Sequence, residues 1–166
     1  MESFVFRTYG RVFKEELGIN GSKNQRLLDI GCGSGAALRF FNSKGFDVYG
    51  VDISYPGILN CKKRMPDISD HFNVIDAAPT SCSGCFGGYF DIITAVQSLY
   101  YFNDSDFKVC LHELYNLLKP GGIIYATMMG KEAGFFAGSI PGDDGLRSVN
   151  FSSKRVEVKD YHINFT

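Results

Sequence analysis

Apolar and polar positions along the chain change period several times, and the changes mark elements. Over residues 3–17, Phe6, Tyr9, Phe13 and Leu17 recur at spacings of three and four, with Arg7, Arg11, Lys14 and Glu15 between them; this is the pattern of an amphipathic helix, with Gly18 as its stop. It reads either as a helix docked on the domain or as a lid whose Tyr9 or arginines reach a ligand. Arg26–Ile30 is a short apolar strand. Ser34 is placed to cap a following helix that carries Ala37, Leu38 and Phe41 on one face and ends at Gly45. Residues 46–51 form a second strand stopping at Asp52. Ser54 and Pro56 open another helix, which ends in the basic run Lys62-Lys63-Arg64.

Residues 71–75 predict a third strand ending at Asp76, and residues 77–88 a loop rich in Ser, Cys and Gly. Residues 90–96 predict a fourth strand. After an aromatic turn over residues 97–103, Asp104 or Ser105 caps a long helix with a stripe of Phe107, Leu111, Leu114 and Leu118, stopped by Pro120. Residues 123–129 complete the series as a fifth strand. Strands alternating with helices give an α/β fold: a doubly wound, Rossmann-like, mostly parallel sheet with helices on both faces. Such sheets bind ligands at the carboxyl ends of their strands, where strand order reverses. The ends to examine are Gly31, Asp52, Asp76 and Gln97. Residues 131–166 change character: a glycine-rich stretch, then an alternation through Val156, Val158, Ile163 and Phe165. The division expected is an N-terminal lid helix (1–20), a cofactor-binding core (21–130) and a partial C-terminal region (131–166).

Composition narrows the function without choosing it. A 166-residue chain with 45% hydrophobic residues and a net charge of −1 fits one globular domain and shows no basic excess for nucleic acid. No run approaches the ~18 apolar residues of a membrane span. Five cysteines form no even framework, so reduced thiols in a cytoplasm are expected rather than disulfides. Cys82 and Cys85 make a C-x-x-C pair, but no second pair stands at zinc spacing, so no metal site is expected.

The densest signal is LLDIGCGSG, residues 27–35, with Gly31, Gly33 and Gly35 after a strand. Glycine allows sharp turns and close approach of a ligand. GCGSGA also satisfies G-x-G-x-x-A, so a dinucleotide reading stays open. Asp52, 21 positions after Gly31, can accept from both hydroxyls of a ribose. Asp76 can face an exocyclic amine, or cap its own turn. Asp29, flanked by apolar residues, needs a partner: the amides of the glycine turn, or a cationic ligand.

Four segments in order, LLDIGCGSG, VYGVDIS, FDIITAVQSLYYF and LLKPGGIIYAT, resemble the motifs of the class I S-adenosylmethionine-dependent methyltransferases over residues 26–129. The resemblance implies S-adenosylmethionine as cofactor, S-adenosylhomocysteine as product, and in-line methyl transfer to a small-molecule acceptor. It implies that Gly31, Cys32 and Gly33 line the methionine moiety. Asp52 holds the ribose, and Ile53 lies beside the adenine. Asp76 and Ala77 flank the adenine amine, and Val96 and Gln97 lie near the transferable methyl. Tyr100 and Tyr101 are candidates to face the sulfonium or orient an acceptor, or one of them is core packing. The turn after the fourth strand lacks the histidine common in small-molecule members, and no N/D-P-P-Y/F/W motif follows. The family places two more strands and a helix after the fifth strand. The chain is too short for all of them, so a C-terminally truncated form is expected, with an exposed fifth-strand edge that the tail or a second copy covers. An NAD-dependent oxidoreductase and a non-catalytic cofactor-binding fragment are the alternatives.

Overall fold

The computed structural model describes residues 5, 7–152 and 157–166; Phe6 and Val156 of the expected patterns lie outside them. The sheet has five strands, β1 (Arg26–Ile30), β2 (Asp47–Asp52), β3 (Phe72–Val74), β4 (Phe90–Ala95) and β5 (Leu118–Ala126), in the order β3-β2-β1-β4-β5. Every pairing in it is parallel. Strand order reverses between β1 and β4.

Side chains alternate across each strand, and this divides the core in two. Leu27, Val48 and Ile92 face one layer, with Leu38 and Phe41 of α2 (Ala36–Ser43) and Ile58 and Cys61 of α3 (Tyr55–Arg64). Leu28, Val51 and Ile93 face the other, against Cys110 and Leu114 of α4 (Asp104–Asn116). Helices therefore cover both faces, and the strands read as near-continuous apolar runs.

The N-terminal helix, α1 (Thr8–Glu16), is wound with π geometry. It is docked on the first layer: Phe13 is fully buried and stacks on Phe41 with ring centroids 5.6 Å apart. Tyr9 meets Phe40 edge-on at 5.3 Å.

Both expected helix caps are corrected. Ser34 does not cap α2; the N-cap is Gly35, in the left-handed region with no side-chain bond, and the Ser34 carbonyl instead accepts from Arg64 at 3.4 Å. Neither Asp104 nor Ser105 caps α4. Asn103 does, its Oδ1 accepting from the Asp106 N–H at 2.7 Å, because the Asp104 carboxylate is engaged by Asn164 Nδ2 at 2.7 Å. Pro120 does not stop α4, which ends at Asn116. Leu118 already pairs with Phe90, and the next pair is Ile92 with Ile123. The Pro120-Gly121-Gly122 segment is thus the bulge that lets β5 rejoin the ladder.

The last residues build a separate antiparallel sheet of β6 (Ile140–Pro141), β7 (Leu146–Ser152) and β8 (Glu157–Asn164). It meets the path of β5 where Met129 bridges Phe165 and the Thr166 N–H donates to the Met129 carbonyl at 3.0 Å. Among the described residues no strand of it pairs along β5 itself, so the tail does not extend the five-stranded sheet. No helix among the described residues is long and apolar enough to cross a membrane.

Candidate functional site

The glycine turn is tied to the strand beside it. The N–H groups of Gly31 and Cys32 both donate to the Val51 carbonyl, at 2.9 and 3.0 Å. Gly31 has φ +76°, and a Cβ there would lie 2.7 Å from Ser98 Cβ, so the turn closes against the end of β4 only without a side chain. A Cβ on Gly33 would meet open space. The turn leaves an uncrowded surface where β1 ends.

Asp52 closes the next bond. Its Oδ2 accepts from the Gly33 N–H and its Oδ1 from the Ser54 N–H, both at 2.7 Å. One carboxylate thus locks the glycine turn to the start of α3, where the Ser54 hydroxyl accepts from the Gly57 N–H as N-cap. Each oxygen retains a second acceptor site. Gln97 sits at φ +56°, strained for a residue with a side chain, and its N–H donates to Thr127 Oγ1 at 2.8 Å. The Asp76 carbonyl accepts from Ser81 at 2.7 Å.

The four strand ends open into one cavity of about 440 Å³, inside the roughly 300–1,000 Å³ range of small-molecule sites. Of the candidate residues, Gly31, Asp52, Ile53, Asp76, Ala77, Gln97 and Tyr101 line it. Asp29, Cys32, Gly33, Val96 and Tyr100 do not. Tyr100 is buried against Val149, Ile163 and Phe165, and burial raises its hydroxyl above the ordinary range; it is the member of the tyrosine pair that packs the core. Among the described residues, none from α1 lines the wall.

Sequence reasoning missed other lining residues, notably Ser98, Asn103, Asp106, Cys110 and Leu146. Asp106 and Cys110 stand one helical turn apart on α4, which was legible as spacing. Leu146 had no signal at all. It reaches the cavity because the turn before β7 is pinned to α4: the Asp104 and Ser105 N–H groups donate to Asp144 at 2.9 and 3.2 Å.

Asp29 is 5% exposed and its Oδ1 accepts from the Thr94 hydroxyl at 2.7 Å. That bond, rather than the amides of the glycine turn, is its partner. Burial pushes its carboxyl from 3.8 up to about 7, the Thr94 bond opposes this, and the nearby Asp52 charge adds to it. The folded state therefore keeps a proton that the unfolded chain releases near pH 3.8, and stability declines as pH rises from there to about 7, then levels. Urea titrations of wild type and Asp29→Asn across that range check this: the wild-type decline is expected to flatten in the variant, and equal slopes would contradict it.

A five-stranded parallel sheet in this order, with a glycine turn after β1 and a carboxylate after β2 opening into one cavity, is a Rossmann-like nucleotide-cofactor fold, and the comparisons assign it to the class I S-adenosylmethionine-dependent methyltransferases. The chain belongs to the methyltransferase-domain family, whose model matches residues 1–149. It is similar to a ubiquinone biosynthesis O-methyltransferase from Erwinia tasmaniensis, 21% identical over 114 residues, which is 69% of this chain and 46% of that protein. It is also similar to a malonyl-[acyl-carrier protein] O-methyltransferase from Salmonella typhimurium, 26% identical over 113 residues, 67% of this chain and 41% of that one. The chain thus spans less than half the length of these two curated relatives. Among solved structures, a protein from Pyrococcus horikoshii superposes with a TM-score of 0.67 at 22% identity, covering 99% of this chain and 74% of that one. PKMT2 from Rickettsia typhi in complex with AdoHcy superposes with a TM-score of 0.56 at 26% identity, covering 79% of this chain and 25% of that one.

Proposed function

We propose that the chain binds S-adenosylmethionine across the ends of β1, β2, β3 and β4 and transfers its methyl group to a small-molecule acceptor. The observation that carries this is the charge of the cavity. Asp52, Asp76 and Asp106 line it, and among the described residues no Lys, Arg or His does. Such a wall favours a ligand with cationic groups and disfavours the pyrophosphate of a dinucleotide, which calls for cations or free helix-terminal amides.

The residues fit that cofactor. The side-chain-free wall at Gly31 and the open space over Gly33 leave room for an extended ligand. Asp52, already oriented by two amides, has the remaining acceptor sites to hold the ribose hydroxyls. Ile53 is 66% exposed and offers an apolar surface for the adenine, with Asp76 and Ala77 at its amine. Gln97 and Val96 stand at the end of β4, on the methionine side with Gly31, Cys32 and Gly33, while the Asp29 carboxylate before the turn is held by Thr94. When bound, S-adenosylmethionine supplies a methyl group activated by a cationic sulfonium. The protein's part is to bind, to orient the acceptor in line and to exclude water. Tyr101, 48% exposed, borders the cavity and is the tyrosine placed to orient an acceptor or face positive charge. Residues 21–130 carry this cofactor site, and the C-terminal region adds Leu146 to its wall. The five unpaired cysteines fit a reducing cytoplasm.

Calorimetry with S-adenosylhomocysteine and with NADH tests the reading. Binding of the first alone is expected; binding of NADH alone overturns it in favour of an oxidoreductase. Turnover with a panel of hydroxyl, amine and thiol acceptors then separates an enzyme from a non-catalytic binding module.

A further inference from the structure

The cofactor reading uses the ends of β3, β2, β1 and β4 and leaves part of the cavity wall over. Tyr101 and Phe102, in and just after the 3-10 turn Leu99–Tyr101, belong to that part. So do Asn103 and Asp106 at the start of α4, and Leu146 at the start of β7. All of them follow β4 in the chain, and the turn before β7 is pinned to α4, so they stand on the α4 side of the strand ends.

Asp106 carries the charge of this part. Its Oδ2 accepts from Asn103 Nδ2 at 3.1 Å, and its Oδ1 has no hydrogen bond among the described residues. The backbone supplies no counter-charge. The first N–H groups of a helix are a natural anion site, but those of α4 are spent within the chain. The Asp104 N–H donates to the Asp144 carbonyl at 2.9 Å and the Ser105 N–H to Asp144 Oδ2 at 3.2 Å. The Asp106 N–H donates to Asn103 Oδ1 at 2.7 Å and the Phe107 N–H to the Asn103 carbonyl at 2.8 Å. Asp144 thereby brings a further carboxylate to the helix start. Opposite charge is drawn to such a place and like charge is repelled. The Tyr101 ring is braced by its neighbours, with centroids 4.6 Å from Tyr100 and 6.2 Å from Tyr161, and offers an aromatic surface beside the carboxylate.

We infer that the methyl acceptor is an amine, with an N–H donating to Asp106 Oδ1 and its carbon skeleton against Tyr101, Phe102 and Leu146. This rests on the cofactor reading above and names the acceptor class for the same cavity. An acceptor bearing a carboxylate or phosphate would meet Asp106 with no lining cation to offset it. A phenol or alcohol gives up its proton to a base as it reacts, and among the described residues no histidine lines the cavity. An amine arrives as an ammonium ion, drawn by the carboxylate and the tyrosine ring. It sheds one proton to water, which frees the lone pair. That pair forms the nitrogen–carbon bond to the methyl group as the carbon–sulfur bond breaks, and the broken bond's electrons stay on sulfur. Positive charge thus passes to nitrogen, where the Asp106 carboxylate stands to stabilise it. The product leaves as a methylated ammonium ion.

The test titrates three probes of one shape, benzylamine, benzyl alcohol and benzoate, into the 166-residue chain loaded with S-adenosylhomocysteine. Calorimetry near neutral pH is expected to show benzylamine binding at least tenfold tighter than benzyl alcohol, and benzoate not binding. Asp106→Asn keeps an oxygen for Asn103 and removes the charge. It is expected to bring benzylamine down to the level of benzyl alcohol, while the affinity for S-adenosylhomocysteine stays within threefold. Added salt is expected to weaken benzylamine binding in the wild type and not in the variant. With S-adenosylmethionine, mass spectrometry is expected to find N-methylbenzylamine. Three results overturn the inference: benzyl alcohol or benzoate binding as well as benzylamine, no probe binding to the loaded chain, or Asp106→Asn weakening S-adenosylhomocysteine as much as benzylamine. The last would put Asp106 in the cofactor pocket. If the chain does not bind S-adenosylhomocysteine, the cofactor reading fails, and the same three titrations on the free chain still decide whether the cavity selects an amine.

Discussion

Replacing Asp52 with alanine is expected to weaken binding of S-adenosylhomocysteine by about 5- to 150-fold, the equivalent of about 1–3 kcal/mol for charge-assisted hydrogen bonds. Two effects add. The ribose loses its acceptor, and the glycine turn loses the bond that ties the Gly33 N–H at 2.7 Å to the start of α3. Asp52→Asn separates them. One amide oxygen can still accept from one backbone N–H, but the NH₂ group cannot accept from the other, so the turn is half-tethered and the ribose contact is weakened. Calorimetry on the three proteins gives the order wild type, Asn, Ala. Affinity unchanged in both variants would remove Asp52 from the site.

Phe13→Ala is expected to cost about 3–5 kcal/mol of stability, as for a buried aromatic cut to a methyl, and to lower Tm by about 10 °C in a chain of this size. Phe13 is fully buried, stacks on Phe41 and meets Tyr125 edge-on at 5.9 Å. Thermal unfolding followed by circular dichroism reads the loss. The same variant separates a brace from a lid. Because no described residue of α1 lines the cavity, cofactor-product affinity measured well below Tm should stay within about twofold. A parallel collapse in affinity would make α1 part of the site.

Strands were legible because burial on two faces leaves a plain signature: Leu27 and Leu28 are both buried, one in each layer. Asp52 was legible by its distance from Gly31 and its place after a strand. Other features depend on contacts that no local pattern carries. The partner of Asp29 is Thr94, which only the parallel pairing of β1 with β4 brings beside it. The cap of α4 fell to Asn103 because Asn164, far along the chain, engages Asp104. Pro120 reads as a helix stop in any local window, yet it lies in a bulge because Leu118 is already paired with Phe90. Leu146 enters the cavity wall only through the anchoring of a turn to the start of α4. Tyr100 and Tyr101 are neighbours in sequence with opposite fates, since a single 3-10 turn over Leu99–Tyr101 sends one into the core and leaves the other half exposed.

The strand order also sets when the site can exist during synthesis. β1 sits between β2 and β4, and Leu28 pairs with Ile93, so the reversal point depends on joining segments some 65 residues apart. Closing so long a loop costs entropy before any contact repays it, which slows folding of parallel sheets. An emerging chain that has released β1, β2 and β3 has the glycine turn and Asp52 but no floor opposite them. The wall at Gln97 and Ser98 follows with β4, and Leu146 comes after both. Competence to hold a ligand therefore arrives late and nearly all at once, when the central pair of strands zips.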